Sequence, residues 1–248
     1  MSIMLNTAVF ETEILNGKNQ LQCLQELTTD VLKQLTAIEL RLEFFPTDPQ
    51  LRHQEILEIE AFCQKNHFKL LLSIPEPLFK DEQINPTVIQ KITELKDYAF
   101  TNFKVSCGKL YPLTTTDIAT LKELFNGHNY TISVENPPNE NGTVINVIDT
   151  LTLLTKQQIQ VGYTFDAGNW YWIDLDPVVA YQKLLPYVTI FHLKSIKDET
   201  TILLNDSSNL AWKELLALTP SNLPIVLEYN IPTDKISQEL AILQAVNS

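Results

Sequence analysis

Eight short apolar runs, each followed by a stretch with helical spacing, predict an α/β chain closed as a single (β/α)8 TIM barrel. Spreading 248 residues over eight units leaves 31 per unit, the size of a βα repeat in a parallel sheet. No Ser/Gly-rich linker or shift in composition divides the chain, so residues 1–248 read as one barrel domain. An open, doubly wound sheet is the alternative architecture. It carries a Gly-rich first turn when it binds nucleotides, and none of the six glycines (17, 108, 127, 142, 162, 168) has that spacing.

The strands are expected at about 6–9, 37–45, 68–74, 102–107, 130–135, 159–166, 188–194 and 223–229, all short and rich in β-branched or aromatic residues. Between them run helical stripes. Leu21, Leu24, Val31 and Leu35 form one, and Ile118, Leu121 and Phe125 another. Val144, Val147, Ile148, Leu151 and Leu154 form a third, and Ile236, Leu240 and Leu243 the last. Helix starts are marked by Asn85-Pro86, Thr116-Asp117, Asp176-Pro177 and Thr233-Asp234.

Composition narrows the function classes. Thirty Asp and Glu against eighteen Lys and Arg leave a formal charge of −12, the wrong sign for duplex DNA or an anionic membrane surface. No apolar run approaches the roughly 18 residues of a membrane span, and the N-terminus lacks the pattern of a secretory signal. Cys23, Cys63 and Cys107 have no C-x-x-C spacing and read as reduced thiols, so a cytoplasmic protein is expected.

In a barrel of this kind, chemistry sits at the C-terminal ends of the strands. Here the fifth to eighth strands each deliver one ionisable side chain at that end: Glu135, Asp166, His192 and Glu228, at intervals of 31, 26 and 36 residues. A lone acid at a strand end is usually a helix cap or a rim charge, but four in successive units converge on one point. Three carboxylates packed together repel unless a cation joins them. Oxygen-rich ligation with one nitrogen suits Mn2+ first, then Mg2+ or Co2+, better than the thiolate or multi-histidine sites zinc favours.

The sequence resembles the xylose isomerase-like barrel superfamily, in the branch of sugar phosphate isomerases and epimerases. Strand order carries the resemblance along the whole chain. It is most specific in Val134-Glu135-Asn136, in Phe165-Asp166-Ala167-Gly168-Asn169-Trp170, in Phe191-His192-Leu193-Lys194 and in Leu227-Glu228-Tyr229. The resemblance implies Glu135, Asp166, His192 and Glu228 as ligands of one divalent metal, with Glu135 and Glu228 also the acid–base pair. It further implies proton transfer next to the carbonyl of a small sugar, sugar phosphate or polyol, through an enediolate. The same equipment would serve a keto-polyol dehydratase, and a catalytically silent sugar-binding barrel is the other alternative. Barrels of this kind often pair, so a homodimer is among the expectations.

The chain departs from the epimerase pattern at two points. Asn169 stands where those enzymes carry a substrate-contacting histidine, and the arginine expected after the seventh strand gives way to Lys194, Lys197 and Asp198. Four histidines (His53, His67, His128, His192) are too few for the three-zinc centre of endonuclease IV, another member of the superfamily. Substrate contacts are expected from Lys104, Asn169, Lys194, Glu43 and Trp170. Arg41 shares one side of the second strand with Glu43, being two residues away.

Overall fold

Each of eight parallel strands hydrogen-bonds to the next in sequence, and the eighth returns to the first. In order they are β1 (Ile3–Asn6), β2 (Ala37–Arg41), β3 (Lys69–Lys80), β4 (Phe100–Gly108), β5 (Thr131–Glu135), β6 (Val161–Asp166), β7 (Val188–Leu193) and β8 (Ile225–Leu227). The Ile3–Ile225 and Leu5–Leu227 register closes the ring. This computed structural model describes residues 2–198, 200–206 and 210–246. Among them, no helix is long and apolar enough to cross a membrane.

Among the described residues, seven longer helices pack around the ring: α1 (Pro49–Asn66), α2 (Pro86–Leu95), α3 (Thr115–Phe125), α4 (Val144–Lys156), α5 (Pro177–Leu184), α6 (Ala211–Leu218) and α7 (Ile236–Val246). Asp48, Asn85 and Asp176 cap α1, α2 and α5, each with proline at the first helical position. Thr114 and Asp117 form a reciprocal capping box on α3. The apolar stripes face the barrel: Leu121 and Phe125 of α3, Val147, Leu151 and Leu154 of α4, and Ile236, Leu240 and Leu243 of α7 are all buried.

Three expectations shift. The first strand is Ile3–Asn6 and not 6–9, because the Asn6 side chain accepts the Ala8 amide at 2.8 Å and turns the chain into a 3-10 segment, Thr7–Phe10. The second strand stops at Arg41, and Leu42–Phe44 is again a 3-10 turn. The stripe from Leu21 to Leu35 is shared by two short helices, Gln20–Gln25 and Thr29–Leu32, the second restarted by the Thr28 cap. Helix α1 has no counterpart among the expected stripes. Its inner face is a narrow line of Ile56, Ile59 and Cys63 flanked by charged residues.

Strand β3 runs past the barrel rim and turns back through a tight hairpin at Asp81 and Glu82 to the short strand Gln83–Ile84. This flap lies against the end of β4, where Gly108 has φ +74° and a Cβ would run into the Phe79 carbonyl. Gly108→Ala is therefore expected to destabilise the fold by about 1–3 kcal/mol, as strained backbone does. Urea unfolding of wild type and variant measures it.

Candidate active site

Side chains alternate along each strand, so residues two apart share a side. The inward series read Met4–Asn6, Ala37–Glu39–Arg41, Leu71–Ser73, Asn102–Lys104–Ser106, Thr131–Ser133–Glu135, Gly162–Thr164–Asp166, Ile190–His192–Lys194 and Val226–Glu228. Toward the strand starts Met4, Ala37, Leu71, Ile190 and Val226 form one buried apolar cluster, beside the Asn102–Thr131 hydrogen bond. Toward the C-terminal ends every series turns polar or charged. A cavity of about 840 Å³ opens at the strand-start end, and among the described residues Lys69 is the one charged residue on its wall. The chemistry lies at the other end.

There, four carboxylates (Glu39, Glu135, Asp166, Glu228) meet Lys104, Lys194, Arg41 and His192. The Lys104 ammonium lies 2.8 Å from Glu135 Oε1, 3.1 Å from Glu228 Oε1, 3.6 Å from Glu39 Oε1 and 3.5 Å from His192 Nδ1. Lys194 Nζ lies 2.6 Å from Asp166 Oδ2 and 3.2 Å from Glu228 Oε2. Its stem passes so close to Gly168 that a Cβ there would collide with it. Arg41 reaches Glu228 Oε1 at 3.0 Å. Asn6 Nδ2 donates to Glu39 at 2.5 Å and to Glu228 at 3.2 Å.

Burial and these charges set the protonation. Burial alone would raise Glu228, but the Lys104, Lys194 and His192 charges outweigh it and hold the carboxyl well below its ordinary range. Glu39 is likewise held down, against burial, by His192 and Lys104. Asp166 goes the other way: burial, helped by Glu228 and Glu135, pushes it up to about 7 against the pull of Lys194. Burial would lower His192, but Glu39 and Glu228 raise it to about 10. Its Nε2 lies 3.2 Å from Glu39 Oε2 and its Nδ1 2.9 Å from Glu228 Oε2. Lys104 and Lys194 stay charged, because their carboxylate neighbours overcome burial.

The four residues expected to hold a metal come together: one donor atom from each lies within 4.8 Å of all the others. Glu39 supports this use, since it engages His192 Nε2 and leaves Nδ1 facing the cluster, as outer carboxylates orient metal-ligating histidines. Asp166 spends Oδ1 on the Gly168 and Asn169 amides, at 2.8 and 3.0 Å, so Oδ2 is the oxygen left for the cluster. Three carboxylates and one imidazole so oriented fit a divalent ion.

Lys104 and Lys194 join the four at the cluster; the other expected contacts do not. Glu43 sits exposed on the rim, and its carboxylate takes the Arg41 guanidinium at 2.6 Å. Asn169 is buried and its side-chain amide donates to the Asn136 carbonyl at 2.9 Å. Trp170 is fully buried and stacks on Phe165, 5.6 Å between ring centres, so it is core and not a wall for substrate. Three participants were not foreseen. Asn6 and Glu39 were legible as polar interruptions of apolar strands on the inward register. Asn136 buttresses the ligand strand: it accepts from the Asp166 amide at 2.9 Å and from the Tyr163 hydroxyl at 3.0 Å, and donates to the Asp166 carbonyl at 3.0 Å.

No family model and no curated protein matches the sequence. Solved structures do match in shape. One is a probable 3-DHS dehydratase, AsbF, from Bacillus anthracis, at TM-score 0.67 and 16% identity over 98% of this chain and 99% of that one. A D-tagatose 3-epimerase-like protein matches at TM-score 0.69 and 14% identity over 100% and 97% of the two chains. The IolI protein, solved with a bound zinc atom, matches at 0.66 and 15% over 99% and 97%. The chain shares the (β/α)8 barrel fold of these structures. Identities this low make the likeness one of fold, so what the site does rests on its own geometry.

Trp170→Ala tests the reassignment of that ring to the core. A buried tryptophan truncated to alanine costs about 3–5 kcal/mol, and denaturant unfolding is expected to show that loss.

Proposed function

We propose that the chain is a divalent-metal-dependent isomerase or epimerase of a small sugar, sugar phosphate or related polyol, moving a proton at the carbon next to a carbonyl. The observation that carries this reading is the placement of Glu135 and Glu228. Both lie within hydrogen-bond reach of one buried ammonium, at 2.8 and 3.1 Å, and belong to the same metal-type donor set. Structural likeness to an epimerase-like protein supports the reaction class.

The residues divide the work as follows. One glutamate removes the proton next to the carbonyl and the other returns it. Glu135 is the more exposed of the two, while Glu228 is kept ionised by its cationic neighbours. Lys104 and Lys194 keep positive charge near the oxygens on which negative charge develops. Glu135, Asp166, His192 and Glu228 would hold the ion, for which manganese is the first choice and magnesium or cobalt the next. When bound, it supplies a Lewis acid for the carbonyl and neighbouring hydroxyl oxygens. A cleft of about 500 Å³ begins at Ser106, the register partner of Glu135, and runs between the β3 flap and Pro137, with room for the body of a small sugar.

Dehydration of a keto-polyol is the second reading, favoured by the likeness to the probable dehydratase. It uses the same proton abstraction, followed by expulsion of a β-hydroxyl. Proton NMR of ketoses and ketose phosphates in D2O, with Mn2+ or Mg2+ supplied, separates the outcomes. Deuterium entering next to the carbonyl without loss of water is expected. Loss of water supports the dehydratase, and sugar binding with no exchange supports a silent binding barrel. Glu135→Gln and Glu228→Gln are each expected to slow exchange by about 10²-fold or more, the usual contribution of a positioned acid or base.

A further inference from the structure

Lys104 stands out because its ammonium is held by the donors of the proposed metal site. Its backbone lies one inward step below the mouth: Ser106, two residues on, is the register partner of Glu135. The long stem carries Nζ up to the level of the carboxylates. There it contacts Glu135 Oε1 at 2.8 Å, Glu228 Oε1 at 3.1 Å and His192 Nδ1 at 3.5 Å, on three of the four residues of the donor set. A divalent ion ligated by those residues would sit about 2.0–2.3 Å from their donor atoms. Two cations drawing on one set of donors repel, and water cannot screen them here, since the Lys104 side chain is 3% exposed and that of Glu228 is 4%.

The charge count points the same way. Four carboxylates already face the ammonium groups of Lys104 and Lys194 and the Arg41 guanidinium, so an ion brings its charge to a cluster that is largely compensated without it. Lys194 has a way out, being partly exposed at the mouth. Lys104 has no solvent to retreat to, but it has a second acceptor. Glu39 lies 3.6 Å away, fully buried and outside the donor set. The lysine thus has two anchors, one shared with the ion and one of its own.

We propose that Lys104 is a resident counter-cation of the site, and that a divalent ion binds only by displacing its ammonium from Glu135 and Glu228. The proposal rests on the metal reading above and adds a residue that sets ion affinity without ligating the ion. Its loss should weaken the ion-free fold and strengthen ion binding together, which a purely structural ion pair would not do.

The test uses chelator-stripped full-length chain, Mn2+ as the probe and no substrate. Titration calorimetry gives the affinity and thermal unfolding gives the stabilisation. Lys104→Met is expected to unfold at lower temperature than wild type without ion, to bind one equivalent of Mn2+ at least tenfold more tightly, and to show the larger rise in Tm on adding it. Lys104→Arg keeps the charge and should bind Mn2+ as wild type does. Binding by Lys104→Met that is equal to or weaker than wild type overturns the competition and leaves the metal centre standing. Absence of binding at millimolar Mn2+ in both proteins overturns the metal centre as well. Should Lys104→Met fail to fold, wild type labelled with 15N at lysine Nζ decides the matter, with Mg2+ as a diamagnetic probe and Lys104→Arg to assign the signal. Binding of Mg2+ must move the Lys104 resonance, and an unmoved signal at saturating Mg2+ overturns the proposal.

Discussion

Everything at the mouth of this barrel depends on charge compensation inside a closed ring. Glu39, Asp166 and Glu228 are buried, and Glu135 is nearly so. A buried carboxylate without a partner would take up a proton, because the desolvation of its charged form is not repaid. Asp166, with one close ammonium and two like-charged neighbours, has gone part of that way. Glu228, touched by Lys104, Lys194, Arg41 and His192, has gone the opposite way. Two carboxyl groups of one cluster are thus driven in opposite directions by their surroundings.

The same ring explains why so much of the molecule could be read from the order of residues. A closed parallel barrel needs strands buried on both faces, and such strands appear as apolar runs. It also needs a change of character where the interior meets the mouth, and that change appears as one charged residue ending each of four runs. Glu135, Asp166, His192 and Glu228 were legible because they break their strands at the end, where a break has meaning in this architecture. Their convergence within 4.8 Å follows from closure of the ring rather than from any local signal.

What escaped was governed by register and by packing across the sheet. Glu39 lies in the middle of Ala37–Arg41, where an inward charge looks like an error of pattern until Lys104 and His192 arrive from other strands to meet it. Glu43 shares its parity, but a 3-10 turn begins at Leu42 and carries Glu43 out to the rim. Trp170 follows Asp166 by four residues, yet the turn after β6 packs the ring against Phe165, whose other ring neighbours are Tyr163, Tyr181 and Phe191. Asn6 ends its strand by capping the next turn with its oxygen and reaches Glu39 and Glu228 with its nitrogen, two uses that no linear pattern separates.

The departures from the epimerase pattern acquire a physical meaning in this setting. Asn169 points into the scaffold, where it locks the loop after β6 to the Asn136 carbonyl while its own amide fixes Asp166 Oδ1. The asparagine thus steadies the loop that positions Asp166. The guanidinium missing after β7 is supplied from across the ring, because Arg41 leaves the end of β2 and meets Glu228 at 3.0 Å with Glu43 bracing its other side at 2.6 Å. Positive charge at this mouth therefore comes from β2, from β4 and from the segment after β7. On the reading proposed above, a substrate entering beside Glu135 would meet cations on several sides of the opening before either glutamate reached its proton.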